Sequence, residues 1–115
     1  LAVPGLDVEL GVQRLLGRRE RYLDILQRCV SAQCAPEAIL RQAMQAGDRA
    51  TAQLEAHGLK GAASTLCAHD LAARAARLEA ALRDCSEPVG DDAAVQQAWS
   101  ELQQTLDRLD AILAG

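Results

Sequence analysis

Residues 95–113 read VQQAWSELQQTLDRLDAIL. Val95, Trp99, Leu102, Leu106, Leu109 and Leu113 follow one another at alternating steps of four and three. On an α-helix this spacing collects all six on one face, at the mean period of helices packed in a bundle. The Gln, Glu, Asp and Arg residues between them fall on the opposite side. A half-buried strand would alternate at every second residue, and this stretch does not. The segment is a helix of about five turns whose apolar seam has to be covered by other helices.

The same rhythm returns upstream. Leu71, Ala75, Leu78 and Leu82 form a second seam, separated from the first by the loop SEPVGDD at 86–92. The preceding CAHD, residues 67–70, reads as a tight corner with His69 or Asp70 near the start of the helix. Before it, Asp48 is a suitable N-cap for a helix carried to about Leu66. Pro36 suits the first turn of another helix, which uses Ile39, Leu40, Ala43 and Met44 and stops at Gly47. SAQCAP is the connector before it. A helix from about Arg18 to Ala32 turns Tyr22, Ile25, Leu26, Cys29 and Val30 inward. Gly17 separates it from a short helix that Asp7 caps and that runs to about Leu16, after a Pro4-Gly5 turn. The expected fold is all-α, an antiparallel four-helix bundle with a short extra N-terminal helix, forming one domain over residues 1–115.

Composition agrees and excludes several functions. Half of the 115 residues are apolar, mostly Leu and Ala; the only aromatics are Tyr22 and Trp99, with no Phe. Twelve basic and 16 acidic residues are mixed along the chain, for a net charge of −4. A nucleic-acid binder would show a basic face with stacking aromatics, so no such partner is expected. No apolar run approaches the length of a membrane span and no secretory signal appears, which predicts a cytoplasmic protein without direct membrane contact. Cys29, Cys34, Cys67 and Cys85 have no zinc-ribbon or CxxC spacing and are expected to be free thiols. A metal site from Cys67, His69, His57 and Cys85 fits no ligand template, so no metal is expected. The start at Leu1 instead of Met suggests a domain excised from a longer protein.

The chemistry concentrates in AHGLKGAAS, residues 56–64. On a helical wheel Ala52, Ala56, Leu59, Ala63 and Leu66 gather on the core side. His57 falls opposite, in a strip with Gln53, Lys60, Gly61 and Ser64. A packed histidine would have aligned with Leu59. If the chain folds back at Ala68, residues equidistant from it face each other, which sets Glu79 across from His57 and Arg83 across from Gln53. A carboxylate there can accept the imidazole Nδ1–H and leave Nε2 as the free nucleophile. Glu79 could equally form a surface i,i+4 pair with Arg83. Gly61 costs a helix interior roughly 1 kcal/mol relative to Ala, and its smallness opens the imidazole to another protein's surface. Gly58 adds to that opening or serves helix packing. Lys60 can stand beside a negatively charged adduct on His57, or be a solvated surface lysine.

AHGLKGAASTLCAHDLAARAARLEAAL, residues 56–82, resembles the phosphorylation segment of histidine-containing phosphotransfer (HPt) domains, with its H-x-L-K-G core, corner and following Leu and L-E positions. His57, Leu59, Lys60, Gly61, Leu71, Leu78 and Glu79 fall on those positions. Gly5-Leu6-Asp7, Gly17 and Tyr22 to Leu26 resemble the family's start, and AMQAGD the stretch before its histidine helix. Many members have Gly-Ala at the corner where this chain has Cys67-Ala68, and some have glutamine in place of Glu79. The resemblance implies a phosphocarrier without kinase activity or bound nucleotide. His57 would take a phosphoryl group from a receiver-domain phosphoaspartate and pass it to an aspartate on a second receiver. Lys60 would be the charge neighbour and Glu79 the orienting group, with Gln53, Gly61, Ser64 and Arg83 on the docking face. No cofactor is expected in this domain; Mg²⁺ would sit in the partner receiver. The C-terminal module of a hybrid sensor histidine kinase, or a freestanding carrier, fits. A helical interaction module would leave the grouping of His57, Lys60, Gly61 and Glu79 without a purpose. A haem bundle using His57 or His69 would need bulky walls and a core-facing histidine, which the sequence lacks.

Overall fold

The computed structural model describes residues 3–34 and 36–114; Ala35 of the SAQCAP connector and both chain ends lie outside the described residues. Six α-helices follow in order: α1 (Val8–Arg14), α2 (Arg19–Val30), α3 (Glu37–Ala46), α4 (Arg49–Thr65), α5 (His69–Arg83) and α6 (Ala93–Ala114). The described residues contain no β-strand, and the molecule measures 45 × 22 × 20 Å. Side-chain capping explains three of the six helix starts. The carboxylates of Asp7, Asp48 and Asp92 accept from the backbone N–H groups of Leu10, Thr51 and Val95. Because Asp92 is the cap, α6 begins at Ala93, two residues before its seam does. α2 ends at Val30 instead of Ala32, since Ser31 is already extended. The loop at 86–92 contains a 3₁₀ turn, Val89–Asp91, that tucks Val89 into the core.

α4 packs on α5 and α5 on α6, and the remaining wall of the bundle is divided between two shorter helices. α2 covers the end near the corner, where the buried Tyr22 hydroxyl donates to the Leu66 carbonyl at 2.7 Å. α3 covers the other end and runs through Gly47 (φ +69) into the start of α4. The seams meet in the middle: Leu59, Leu71, Leu78, Leu82, Leu102 and Leu106 are wholly buried. Each contributes about 1.5–3 kcal/mol relative to an exposed side chain. Trp99 and Leu113 are only partly buried at the rim.

α3 departs from the expected face. Ile39 is 40% exposed, while Glu37 is fully buried on a stripe with Leu40, Ala43 and Met44. The stripe is rotated because Arg41, one turn along, reaches back to Glu37 at 2.6 Å and across to Asp107 of α6 at 2.8 Å. That pairing lets a carboxylate occupy an inward position that Ile39 would otherwise be expected to flank.

Candidate functional site

The site depends on the register between α4 and α5, and the corner at Cys67-Ala68 sets it. Cys67 is buried and left-handed (φ +58), which explains why a glycine would be at ease there. The N-terminal segment straps this corner. Asp7 N–H donates to the Cys67 carbonyl at 2.9 Å, and Asp70 N–H donates to the Gly5 carbonyl at 3.1 Å. Leu6 and Ala68 pair as an isolated antiparallel bridge. At the far end Arg49 donates to the Leu82 carbonyl at 3.3 Å, so the two helices are tied at both ends.

Between these ties, His57 and Glu79 face each other. The imidazole Nδ1 lies 2.6 Å from Glu79 Oε2, and Lys60 Nζ donates to Oε1 of the same carboxylate at 2.7 Å. Glu79 is 16% exposed and His57 64% exposed. One shielded carboxylate therefore bridges an open imidazole and an ammonium. The Lys60 hydrogen bond, aided by that of His57 and opposed by burial, holds the Glu79 carboxyl below the usual carboxylate range. As an ionised acceptor, Glu79 requires the neutral imidazole to carry its proton on Nδ1, which leaves the Nε2 lone pair available.

The remaining predicted residues divide. Gln53 joins His57, Glu79, Ala50 and Leu54 around a shallow hollow. Gly61 and Gly58 are exposed, and a Cβ at either would meet nothing within 4 Å. Gly58 therefore serves no helix packing. Ser64 is exposed on the His57 side, and its carbonyl accepts from Arg14 Nη1 at 2.9 Å. Arg83 does not join the group: its Nε lies 3.5 Å from Asp84 on its own helix end. The alternative Glu79–Arg83 surface pair is also absent, because His57 and Lys60 take both carboxylate oxygens. Leu54 was missed. It is 67% exposed beside His57, and its signal was an apolar residue on the polar side of the wheel. Cys67 is buried while His69 is exposed, and among the described residues no three His, Cys, Asp or Glu side chains converge as a metal site would require.

No curated protein and no solved structure matches the chain. A family model does: the one described as Hpt domain matches residues 24–112, a span that contains α3 to α5 whole and the His57–Glu79–Lys60 group.

Proposed function

The chain belongs to the Hpt domain family, the phosphocarrier modules of two-component signalling that exchange phosphoryl groups with receiver domains, and on that premise we propose that His57 is its phosphoryl acceptor. The observation that carries the assignment is the 2.6 Å contact between His57 Nδ1 and Glu79 on an otherwise open imidazole. It supports Nε2 as the nucleophile. The Nε2 lone pair attacks the phosphorus of a receiver phosphoaspartate, the P–O bond to the aspartate breaks, and the carboxylate leaves. The Nδ1 proton stays in place against Glu79, whose negative charge balances the phosphorylated ring. The reverse sequence delivers the group to an aspartate on a second receiver, and neutral imidazole departs.

Because the transferring phosphoryl is loose and charge-rich, positioning and electrostatics dominate the barrier. Lys60 supplies one cation on this side, within reach of both Glu79 and the face of His57. Mg²⁺, in this proposal, belongs to the receiver. Gly58 and Gly61 leave room for the receiver to approach, and Gln53, Leu54 and Ser64 border the landing area. No helix among the described residues is long and apolar enough to cross a membrane. We place the domain in the cytoplasm, as a freestanding carrier or as part of a hybrid sensor kinase. The test is transfer of acid-labile, alkali-stable label from a phosphorylated receiver: the wild type becomes labelled and His57→Gln does not. Label on the His57→Gln chain would remove the assignment.

A further inference from the structure

The cations of this acidic chain are unevenly satisfied. Of its 11 arginines, seven lie within 3.6 Å of a carboxylate oxygen. Among the described residues the other four are Arg14, Arg18, Arg21 and Arg49. Arg49 is spent on the Leu82 carbonyl at the bundle's far end. The other three line one hollow at the α1–α2 turn, together with Leu15 and Leu16. The acids within these two helices are Glu9, engaged by Arg19 at 3.5 Å, Asp24, engaged by Arg28 at 3.4 Å, and the exposed Glu20.

In the middle of these arginines Leu16 is 88% exposed. A single exposed leucine is ordinary, but this one is held out by its backbone. It sits at φ +60, just past the end of α1, where glycine is the usual occupant. The turn around it is closed by hydrogen bonds from Leu16 N–H to the Gln13 carbonyl at 3.0 Å and from Gly17 N–H to the Val12 carbonyl at 2.9 Å. The leucine is thus presented on a hydrogen-bonded turn, in a conformation its side chain disfavours.

This patch is continuous with the His57 face. Arg14 donates to the Ser64 and Thr65 carbonyls at 2.9 and 3.2 Å, fastening the turn to the end of α4. Ser64 lies on the same face as His57 and about 10 Å along the helix, with Gly61 open between them. The turn precedes residue 24, where the family match begins, so the match itself does not describe it.

We propose that the α1–α2 turn, with Leu16 ringed by Arg14, Arg18 and Arg21, is a second docking point for an acidic surface of the receiver that exchanges phosphoryl with His57. A chain of net charge −4 repels an acidic partner overall. A local cationic patch beside the reactive face reverses that at short range and selects one orientation, while Leu16 supplies an apolar anchor inside the ring. The inference rests on the phosphotransfer assignment, and its test separates the two.

Each receiver domain of the source genome is charged with acetyl phosphate and the fastest donor to the full chain is used. Arg18→Ala/Arg21→Ala lowers the second-order transfer rate about tenfold at low ionic strength, and the gap closes to about twofold in roughly 0.5 M salt. The single-turnover rate at saturating donor is unchanged. Leu16→Gly, which relieves the left-handed strain and so folds at least as well, slows the second-order step severalfold without salt dependence. Unchanged second-order rates in both variants overturn the docking point, as does a saturating rate that falls in parallel. Retention on anionic phosphatidylserine vesicles that is lost in the arginine variant while transfer stays normal also overturns it, in favour of a lipid surface. Label on the His57→Gln chain, or no transfer from any receiver, sinks the phosphotransfer assignment itself.

Discussion

Glu79 accepts from two donors through its two oxygens, and each contact has its own consequence. The Nδ1 contact sets the tautomer of His57; the Lys60 contact holds an ammonium on the same carboxylate that orients the ring. Glu79→Ala removes both. The ring nitrogens of His57, followed by ¹⁵N NMR, then report mixed tautomers, and transfer slows roughly tenfold or more. Glu79→Gln retains an acceptor for Nδ1–H but not the charge, so it keeps the tautomer and slows transfer less. An unshifted ¹⁵N pattern in Glu79→Ala would dismiss the orienting role. Lys60→Ala slows transfer while leaving the bundle folded; an unchanged rate would dismiss the lysine. The pH dependence follows from the lowered Glu79 pKa. Its contribution to stability is complete above the ordinary carboxylate range and is lost as pH falls through the lowered value.

At the scale of the helices, glycines that look alike in sequence do different things. Gly11 of α1 lies against the core, where a Cβ would come within 2.3 Å of the Tyr22 ring and 2.8 Å of the Leu66 carbonyl. Neither neighbour can yield easily, since Tyr22 is buried and its hydroxyl holds the end of α4. Gly11→Ala therefore destabilises the fold by about 1–3 kcal/mol in urea unfolding. Gly61→Ala meets nothing and removes a helix-interior glycine, so it raises stability by up to about 1 kcal/mol. It also places a methyl group on the reactive face and slows transfer. A Gly61→Ala chain that is more stable and equally fast would show that close approach at this position is unnecessary. The histidine face was legible in the sequence because the wheel of α4 separates Ala52, Ala56, Leu59 and Ala63 from it cleanly. Gly11 was not, because its role depends on an aromatic ring from another helix.

For the whole molecule, the unusual element is Glu37, fully buried between α3, α2 and α6. One oxygen is paired with Arg41; the other, Oε2, has no partner among the described residues. Burial pushes the carboxyl above its usual range, with Asp107 and Asp110 adding to the rise and Arg41 opposing it. Burial, with the charge of the same carboxylate adding to it, pushes the Cys29 thiol up to about 11. A raised carboxyl binds its proton more tightly in the folded state. Stability therefore declines as pH rises from the ordinary carboxylate value through the raised one. Glu37→Gln removes that decline and is neutral or stabilising at pH 7, because Arg41 keeps Asp107 as a partner. Parallel pH slopes of unfolding free energy in the two chains would exclude this.

What the sequence determined by itself was periodic: the α6 and α5 seams, the aspartate caps, the division of α4 into two faces, and the opposition of residues 57 and 79 across a short corner. These follow from 3.6 residues per turn and from chain connectivity, which are local properties. The tertiary structure alone decided the rest. It turned Ile39 outward and Glu37 inward, sent Arg83 to Asp84, tied Lys60 to Glu79, and fastened the N-terminal segment to the corner. The period of the chain does not decide these outcomes; which charge or cavity the packed helices bring within reach does.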